Sequence, residues 1–239
     1  MSIEQFNMGG FVSTFTTMDN FLYWLILGVV LLLSYLLGSV NSAIIISKAL
    51  YHEDIRTKGS GNAGMTNMLR TYGKKAAVLT LVGDLMKTLI SVSVAGALFG
   101  FGYFGGIAVS YIPYVAGMLA AIGHVFPCFY CFKGGKGVLV TSTMALILTP
   151  PVFLILFIIF VIAVALWKYI SLGSVTSAVL YPVFLNFYCR MHGAVTPGEA
   201  VLCTMILAVL IVWCHRENLK RISNQTENKF SFGKKKNED

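Results

Sequence analysis

Charge is scarce in this chain of 239 residues: Asp, Glu, Lys and Arg together make up 12% of it, about half the share found in an ordinary soluble domain. A water-facing surface cannot be built from so few charges, and with 56% apolar residues the bulk of the exterior must face lipid. Acid is rarer than base, 10 residues against 18, for a net charge of +8. The first 20 residues hold no Lys or Arg, only Glu4 and Asp19, so a secretory signal with a basic leading region is not expected and residues 1–20 read as a short external tail. Cysteine is sparse and odd in number (Cys128, Cys131, Cys189, Cys203, Cys214), scattered in or beside apolar runs, which excludes a disulfide framework. Cys128 and Cys131 form a CxxC, but zinc needs four ligands and His124 alone does not complete a set. With no carboxylate cluster either, neither a metal nor a cofactor is expected.

What the chain has is long apolar runs. A span needs about 20 mostly apolar residues, and on that rule seven are expected, at 21–48, 76–99, 107–126, 137–149, 151–168, 170–188 and 198–214. The fourth is short, and Pro150-Pro151 marks the turn out of it. Basic residues test this count. Of the 18, 16 fall in segments on one side: 48–75, 127–136, Lys168, and the stretch from Arg216 onward. Lys87 lies inside a span and Arg190 opposite. That is the positive-inside pattern, which explains the charge without nucleic acid. It predicts an all-α integral membrane protein of about seven helices, N-terminus outside and C-terminus cytoplasmic. A five-span alternative, with 137–168 as a re-entrant hairpin, keeps the same sidedness. The domain reading is a tail at 1–20, a membrane domain at 21–223 and a polar, basic, coreless cytoplasmic tail at 224–239 with Lys234, Lys235 and Lys236 in a row.

Three stretches on the basic side carry chemistry. The first is Gly59-Ser60-Gly61-Asn62-Ala63-Gly64-Met65-Thr66-Asn67, followed by Arg70. Glycines let the backbone turn with its amides exposed and Ser, Thr and Asn add donors, so the loop can enclose a phosphate. It also fits GxGxxG formally, but no strand precedes it, and a flexible connector is the bland alternative. The second is Lys133-Gly134-Gly135-Lys136-Gly137, two ammonium groups around a Gly-Gly turn entering a helix. Exposed amides and the helix dipole favour an anion there. It is not a Walker loop, because Gly137 follows Lys136 where Ser or Thr would hold magnesium. The third runs from His215 to Arg221; on a helix His215 and Asn218 share one face, and Arg216 and Lys220 another. Inside the second span, Asp84 and Lys87 sit three apart. Each would cost about 2.5–3.5 kcal/mol at a helix centre, so they are expected to pair and to order the site rather than act in catalysis.

Taken together these pieces resemble the acyl-phosphate-dependent glycerol-3-phosphate acyltransferases of bacterial membranes, the PlsY type. The matching residues are Gly38-Ser39, Asp54-Ile55-Arg56 leading to Gly59 through Asn67, Gly83-Asp84-Leu85 with Lys87, Lys133 through Val138, and His215 through Arg221, in the family's order. The chain departs from the family pattern at Val40-Asn41-Ser42, Ala63, Met65, Thr88 and Leu139-Val140, changes that bear on acyl-chain preference and local packing. The resemblance implies a seven-helix enzyme of the bacterial cell membrane, with its active site facing the cytoplasm. It would move an acyl group from acyl phosphate to the 1-hydroxyl of glycerol 3-phosphate, giving lysophosphatidic acid and inorganic phosphate. It implies substrate binding by Ser60, Gly61, Asn62, Asn67 and Arg70, by Lys133, Gly134, Gly135, Lys136 and Gly137, and by Ser171 and Ser174. Catalytic roles fall to His215, Asn218, Ser60 and Lys136. Lys136 with the Gly134-Gly135 amides is expected to take one phosphate, and Arg70 with Ser60 the other. The attacking hydroxyl's proton can go to His215 or to a substrate phosphate oxygen. The partners implied are these two substrates and membrane lipid; the oligomeric state is open. A transporter for organic phosphates and a noncatalytic membrane scaffold are the rival classes.

The grouping of loops is directly testable. Cysteine-accessibility labelling in sealed membranes is expected to place residues 59–70 and 133–137 on the same side of the bilayer; labelling from opposite sides would end the proposal of a shared site.

Overall fold

The computed structural model describes residues 20–100, 103–104, 107–108, 110–192 and 197–229. The expected external tail and the Lys234–Lys236 run lie outside these residues. Among the described residues ten α-helices follow one another: α1 (Asn20–Ser39), α2 (Ser42–Tyr51), α3 (Met65–Tyr72), α4 (Lys74–Phe99), α5 (Ile112–Val125), α6 (Val138–Leu148), α7 (Pro150–Trp167), α8 (Ile170–Met191), α9 (Pro197–Cys214) and α10 (Arg216–Ser223). The one β pairing among the described residues is a small antiparallel one, Tyr103 opposite Ala108 and Phe104 opposite Ile107. The third span was expected from residue 107, but that hairpin takes up 107–108 and α5 starts at Ile112 with Pro113 in its first turn, where a missing N–H costs nothing.

Each of the seven expected segments contains a helix, the third only from Ile112 onward. By length and composition five helices qualify as spans, α1 and α2 counting as one run, and a sixth qualifies if α9 and α10, bent by 54° at His215, are taken together. The seventh, α6, has 11 residues. At about 1.5 Å per residue it covers about half of a hydrocarbon core. It can be short because it is wrapped in protein: Val140, Thr141, Thr143, Met144, Ala145 and Leu148 are buried, packing among α4, α5 and α7. A helix enclosed by neighbours need not reach both headgroup layers. Since α7 passes as a span by itself, the re-entrant hairpin alternative is disfavoured.

Punctuation in the sequence explains the breaks. Asn41 stops α1 and caps α2, its Oδ1 accepting from the Ile44 amide at 3.1 Å. Gly73, at φ +84°, separates α3 from α4. Pro150 and Pro151 open α7, and Lys168 closes it in the left-handed region. The largest core cluster lies among α4 to α9, with Tyr114, Met144, Leu148, Leu185 and Leu207 almost wholly buried. Large apolar side chains instead face outward along α1 (Leu25, Val29, Leu32) and α7 (Leu154, Phe157, Val161, Leu166). Such a surface would aggregate in water and is what lipid requires.

The tightest helix crossing is α1 on α5. A Cβ on Gly38 would lie 2.2 Å from the Ala120 carbonyl oxygen, and one on Gly123 would lie 2.3 Å from that of Tyr35. Backbones approach this closely only where small residues allow it. Gly38→Val is therefore expected to destabilise the protein by about 1–3 kcal/mol or more, read as a lower melting temperature in detergent. Gly28→Val, on the same helix with nothing within 4 Å of its Cβ, is expected to melt like the native protein.

Candidate functional site

The first loop is built around one side chain, Asn67. Its Oδ1 accepts from the Ser60 amide at 2.9 Å, and its Nδ2 donates to the carbonyls of Lys58 and Asn62 at 3.0 Å and of Ile55 at 3.3 Å. The loop wraps so closely that a Cβ on Gly59, at φ +57°, would sit 2.3 Å from Asn67 Oδ1; Gly61 is likewise left-handed. Asn67, expected to meet substrate, is 2% exposed and commits its whole amide to the loop's shape. Ser60 and Arg70 stand exposed at the surface, Asn62 half-buried.

A guanidinium clips this loop to the second. Asp54 takes Arg56 Nη2 at 2.8 Å and Nε at 3.0 Å, while Arg56 Nη1 donates to the Tyr130 carbonyl at 2.9 Å and to that of Lys133 at 3.2 Å. The Asp54 carboxyl is held below its usual range chiefly by these bonds to Arg56. In the second loop the Gly134 and Gly135 amides, expected to be exposed to a phosphate, are instead taken up within the protein. Gly134 N–H donates to the Val125 carbonyl at 3.1 Å and Gly135 N–H to that of His124 at 3.0 Å, because the chain folds back onto the open end of α5. The donors left for an anion in this stretch are the Lys133 and Lys136 ammonium groups and the first turn of α6, which Gly137 enters at φ +78°. Lys133 is exposed and its carbonyl serves the Arg56 clip.

Lys136 reaches the third stretch, its ammonium donating to Asn218 Oδ1. The helix turns at His215, and both His215 and Asn218 are buried while Arg216 and Lys220 are exposed, as the spacing predicted. Arg216 stacks on Trp213, its guanidinium carbon 4.4 Å from the ring centre. His215 Nδ1 lies 2.8 Å from the Ile211 carbonyl. A carbonyl only accepts, so Nδ1 carries a proton and Nε2 is the nitrogen left with a lone pair in the neutral ring. Ser171 accepts from Asn218 Nδ2 at 3.0 Å, and Ser174 turns back to the Ile170 carbonyl.

One member of the cluster escaped sequence reasoning. Glu227, placed in a coreless tail, folds back so that Oε1 accepts from Ser171 Oγ at 2.6 Å and Asn218 Nδ2 at 2.7 Å, and Oε2 from Arg221 Nε at 2.8 Å. Burial alone would raise its pKa, but those bonds outweigh it and hold the carboxyl below its ordinary value. Burial also pushes the Lys136 ammonium down to about 8. Among the described residues no group of three or more His, Cys, Asp and Glu could hold a metal. All three stretches thus meet on one face: first to second through Arg56, second to third through Lys136.

Comparison with known proteins gives this arrangement a context. Residues 28–225 match the family model described as glycerol-3-phosphate acyltransferase. Among curated relatives, the glycerol-3-phosphate acyltransferase of Finegoldia magna is 37% identical over 210 residues, 88% of this chain and 98% of the relative. That of Trichlorobacter lovleyi is 39% identical over 197 residues, covering 82% and 94%. Two crystal structures of PlsY, an integral membrane glycerol 3-phosphate acyltransferase, superpose on the fold. The glycerol 3-phosphate form has a TM-score of 0.75 at 30% identity over 86% of this chain and 96% of that one. The lysophosphatidic acid form scores 0.73 at 29% identity.

Proposed function

The chain belongs to the glycerol-3-phosphate acyltransferase family, and from that premise we propose that it transfers a fatty acyl group from acyl phosphate to the 1-hydroxyl of glycerol 3-phosphate at the cytoplasmic face of a bacterial cell membrane. The products would be lysophosphatidic acid and inorganic phosphate. The observation that carries this reading is the convergence of three stretches rich in cations and donors on one face of a lipid-facing bundle, with Lys136 held against Asn218. Both substrates present phosphate, and one brings a long chain that the bilayer can hold.

The chemistry asks little of covalent catalysis. Acyl phosphate is already activated: the substrate hydroxyl oxygen attacks the acyl carbonyl, the new C–O ester bond forms, and the bond to phosphate breaks as phosphate leaves with its electron pair. Lys136 and the first amides of α6 hold the acceptor substrate by its phosphate in this reading, and positioning its hydroxyl against the acyl carbonyl supplies much of the acceleration. The hydroxyl's proton goes to a substrate phosphate oxygen in the reading we favour, with His215 Nε2 as the alternative acceptor. In this reading Lys136 takes the phosphate of glycerol 3-phosphate, and Arg70 with Ser60 serves that of the acyl phosphate.

The test is purified protein with acyl phosphate and labelled glycerol 3-phosphate. Lysophosphatidic acid and inorganic phosphate are expected in equal amounts; their absence, with uptake into vesicles instead, would leave the transporter reading. In the same assay KM for glycerol 3-phosphate is expected to depend on pH. The Lys136 ammonium is present below about pH 8 and lost as pH rises through it, so KM rises above that point. Lys136→Arg, whose guanidinium stays charged, is expected to flatten the profile, checked by KM measured from about pH 7 to about pH 9.

A further inference from the structure

Beneath the three loops lies a buried polar cluster that touches no solvent-facing part of the site. Lys87 is 5% exposed and its Nζ meets four acceptors: the Gly38 and Val40 carbonyls, each at 3.1 Å, Asp84 Oδ1 at 3.0 Å and His124 Nδ1 at 2.8 Å. Asp84 Oδ1 also accepts from Ser42 Oγ at 3.1 Å. The Gly38 and Val40 carbonyls flank the break between α1 and α2, and neighbouring Asn41 donates through Nδ2 to the Ala63 carbonyl of the first loop at 3.4 Å. An ammonium has hydrogens and no lone pair, so His124 Nδ1 accepts and the neutral ring carries its proton on Nε2.

That second nitrogen is aimed at the second loop. A Cβ on Gly135 would stand 2.0 Å from His124 Nε2, 2.8 Å from Cε1 and 2.9 Å from the Ala63 carbonyl oxygen. Gly135 is therefore pinched between the imidazole edge and the first loop, while its amide is tied to the His124 carbonyl. The ring sets where Gly135 can lie, and the next residue is Lys136.

We infer that Lys87 and His124 are positioning residues: the ammonium fixes the imidazole, and the imidazole fixes the Gly134–Gly135 turn against the first loop so that Lys136 meets the substrate phosphate. The inference rests on the proposed reading of the site for glycerol 3-phosphate. It differs from a packing role, because it moves affinity for one substrate in protein that remains folded. A shift of the loop by about 1 Å is enough to cost a factor of ten or more.

The experiment compares wild type with His124→Leu, His124→Gln and Gly135→Ala, each passed through size exclusion in detergent. Binding of glycerol 3-phosphate without any donor is read by calorimetry, and KM and kcat with acyl phosphate. In the folded fraction His124→Leu and Gly135→Ala are each expected to weaken binding and raise KM for glycerol 3-phosphate roughly tenfold or more. The double variant is expected to add little, since both break one contact. His124→Gln, which keeps an amide able to accept from Lys87, is expected to recover part of the loss. Should His124→Leu fail to fold, Gly135→Ala probes the contact from its other side. Unchanged binding in folded Gly135→Ala, or losses that add fully in the double variant, overturns the positioning role while leaving the activity standing. Wild-type protein that binds glycerol 3-phosphate but ignores acyl phosphate counts against the donor alone. Wild-type protein that binds no glycerol 3-phosphate overturns the substrate reading and this inference with it.

Discussion

Inside a bilayer no water is at hand for a carbonyl that a broken helix leaves behind, so every interruption has to be answered by another part of the protein. In this fold the interruption that matters most lies between α1 and α2. Its carbonyls at Gly38 and Val40 are met by the Lys87 ammonium, whose charge is met in turn by Asp84. Removing one side of such a buried pair strands the other, at about 3–5 kcal/mol. The same break lies beside the glycine-mediated contact of α1 with α5, and α2 beyond it leads the chain toward the first loop. The path of α1, the entry to the site and the buried end of α5 are thus consequences of one polar junction.

The loops above that junction divide their residues between shape and chemistry. Asn67, Arg56 and Glu227 satisfy backbone or side-chain partners within the protein and hold the loops in place. Ser60, Arg70 and Lys133 stand exposed on the same loops. The division follows from burial: a buried donor left without a partner costs about 1–3 kcal/mol, so buried polar side chains end up holding structure, and those at the surface remain available.

Much of this was legible in the residues alone. The seven apolar runs became largely helical because in lipid a run of this length satisfies its backbone within a helix, and the three-residue spacing of His215 and Asn218 put both on the buried side of the bend where α10 begins. What could not be read was long-range. The short α6 is possible only because three other helices enclose it, which no local pattern records. The Gly134 and Gly135 amides looked free because the glycines advertise flexibility, whereas their acceptors are carbonyls at Val125 and His124, reached when the chain doubles back. Glu227 sits in a stretch too polar to form a core, and its partner Ser171 is 56 residues away on another helix. Asp54 and Arg56 were visible as a short motif, yet that the guanidinium would grip carbonyls 74 and 77 residues onward was not.

The net charge of +8 also misstates where the field of the site comes from. Arg56 is matched by Asp54 at 2.8 Å, Lys58 by Glu53 at 2.8 Å, Lys87 by Asp84 at 3.0 Å and Arg221 by Glu227 at 2.8 Å, so four cations near the loops are largely spent on their own partners. Lys136 differs. Among the described residues it has no carboxylate within ion-pair distance, and what holds it is the neutral amide oxygen of Asn218. A neutral acceptor orients the ammonium without cancelling its charge, and partial burial lowers the dielectric around it, so its attraction for an anion is stronger than that of a solvated lysine. Burial also makes a charged lysine costly here, which is why its pKa falls to about 8, and in the proposed reading a bound anion offsets that cost as well as adding an attraction. The position of that one ammonium, rather than the number of basic residues, is what the glycine turn, the imidazole beneath it and the asparagine beside it combine to set.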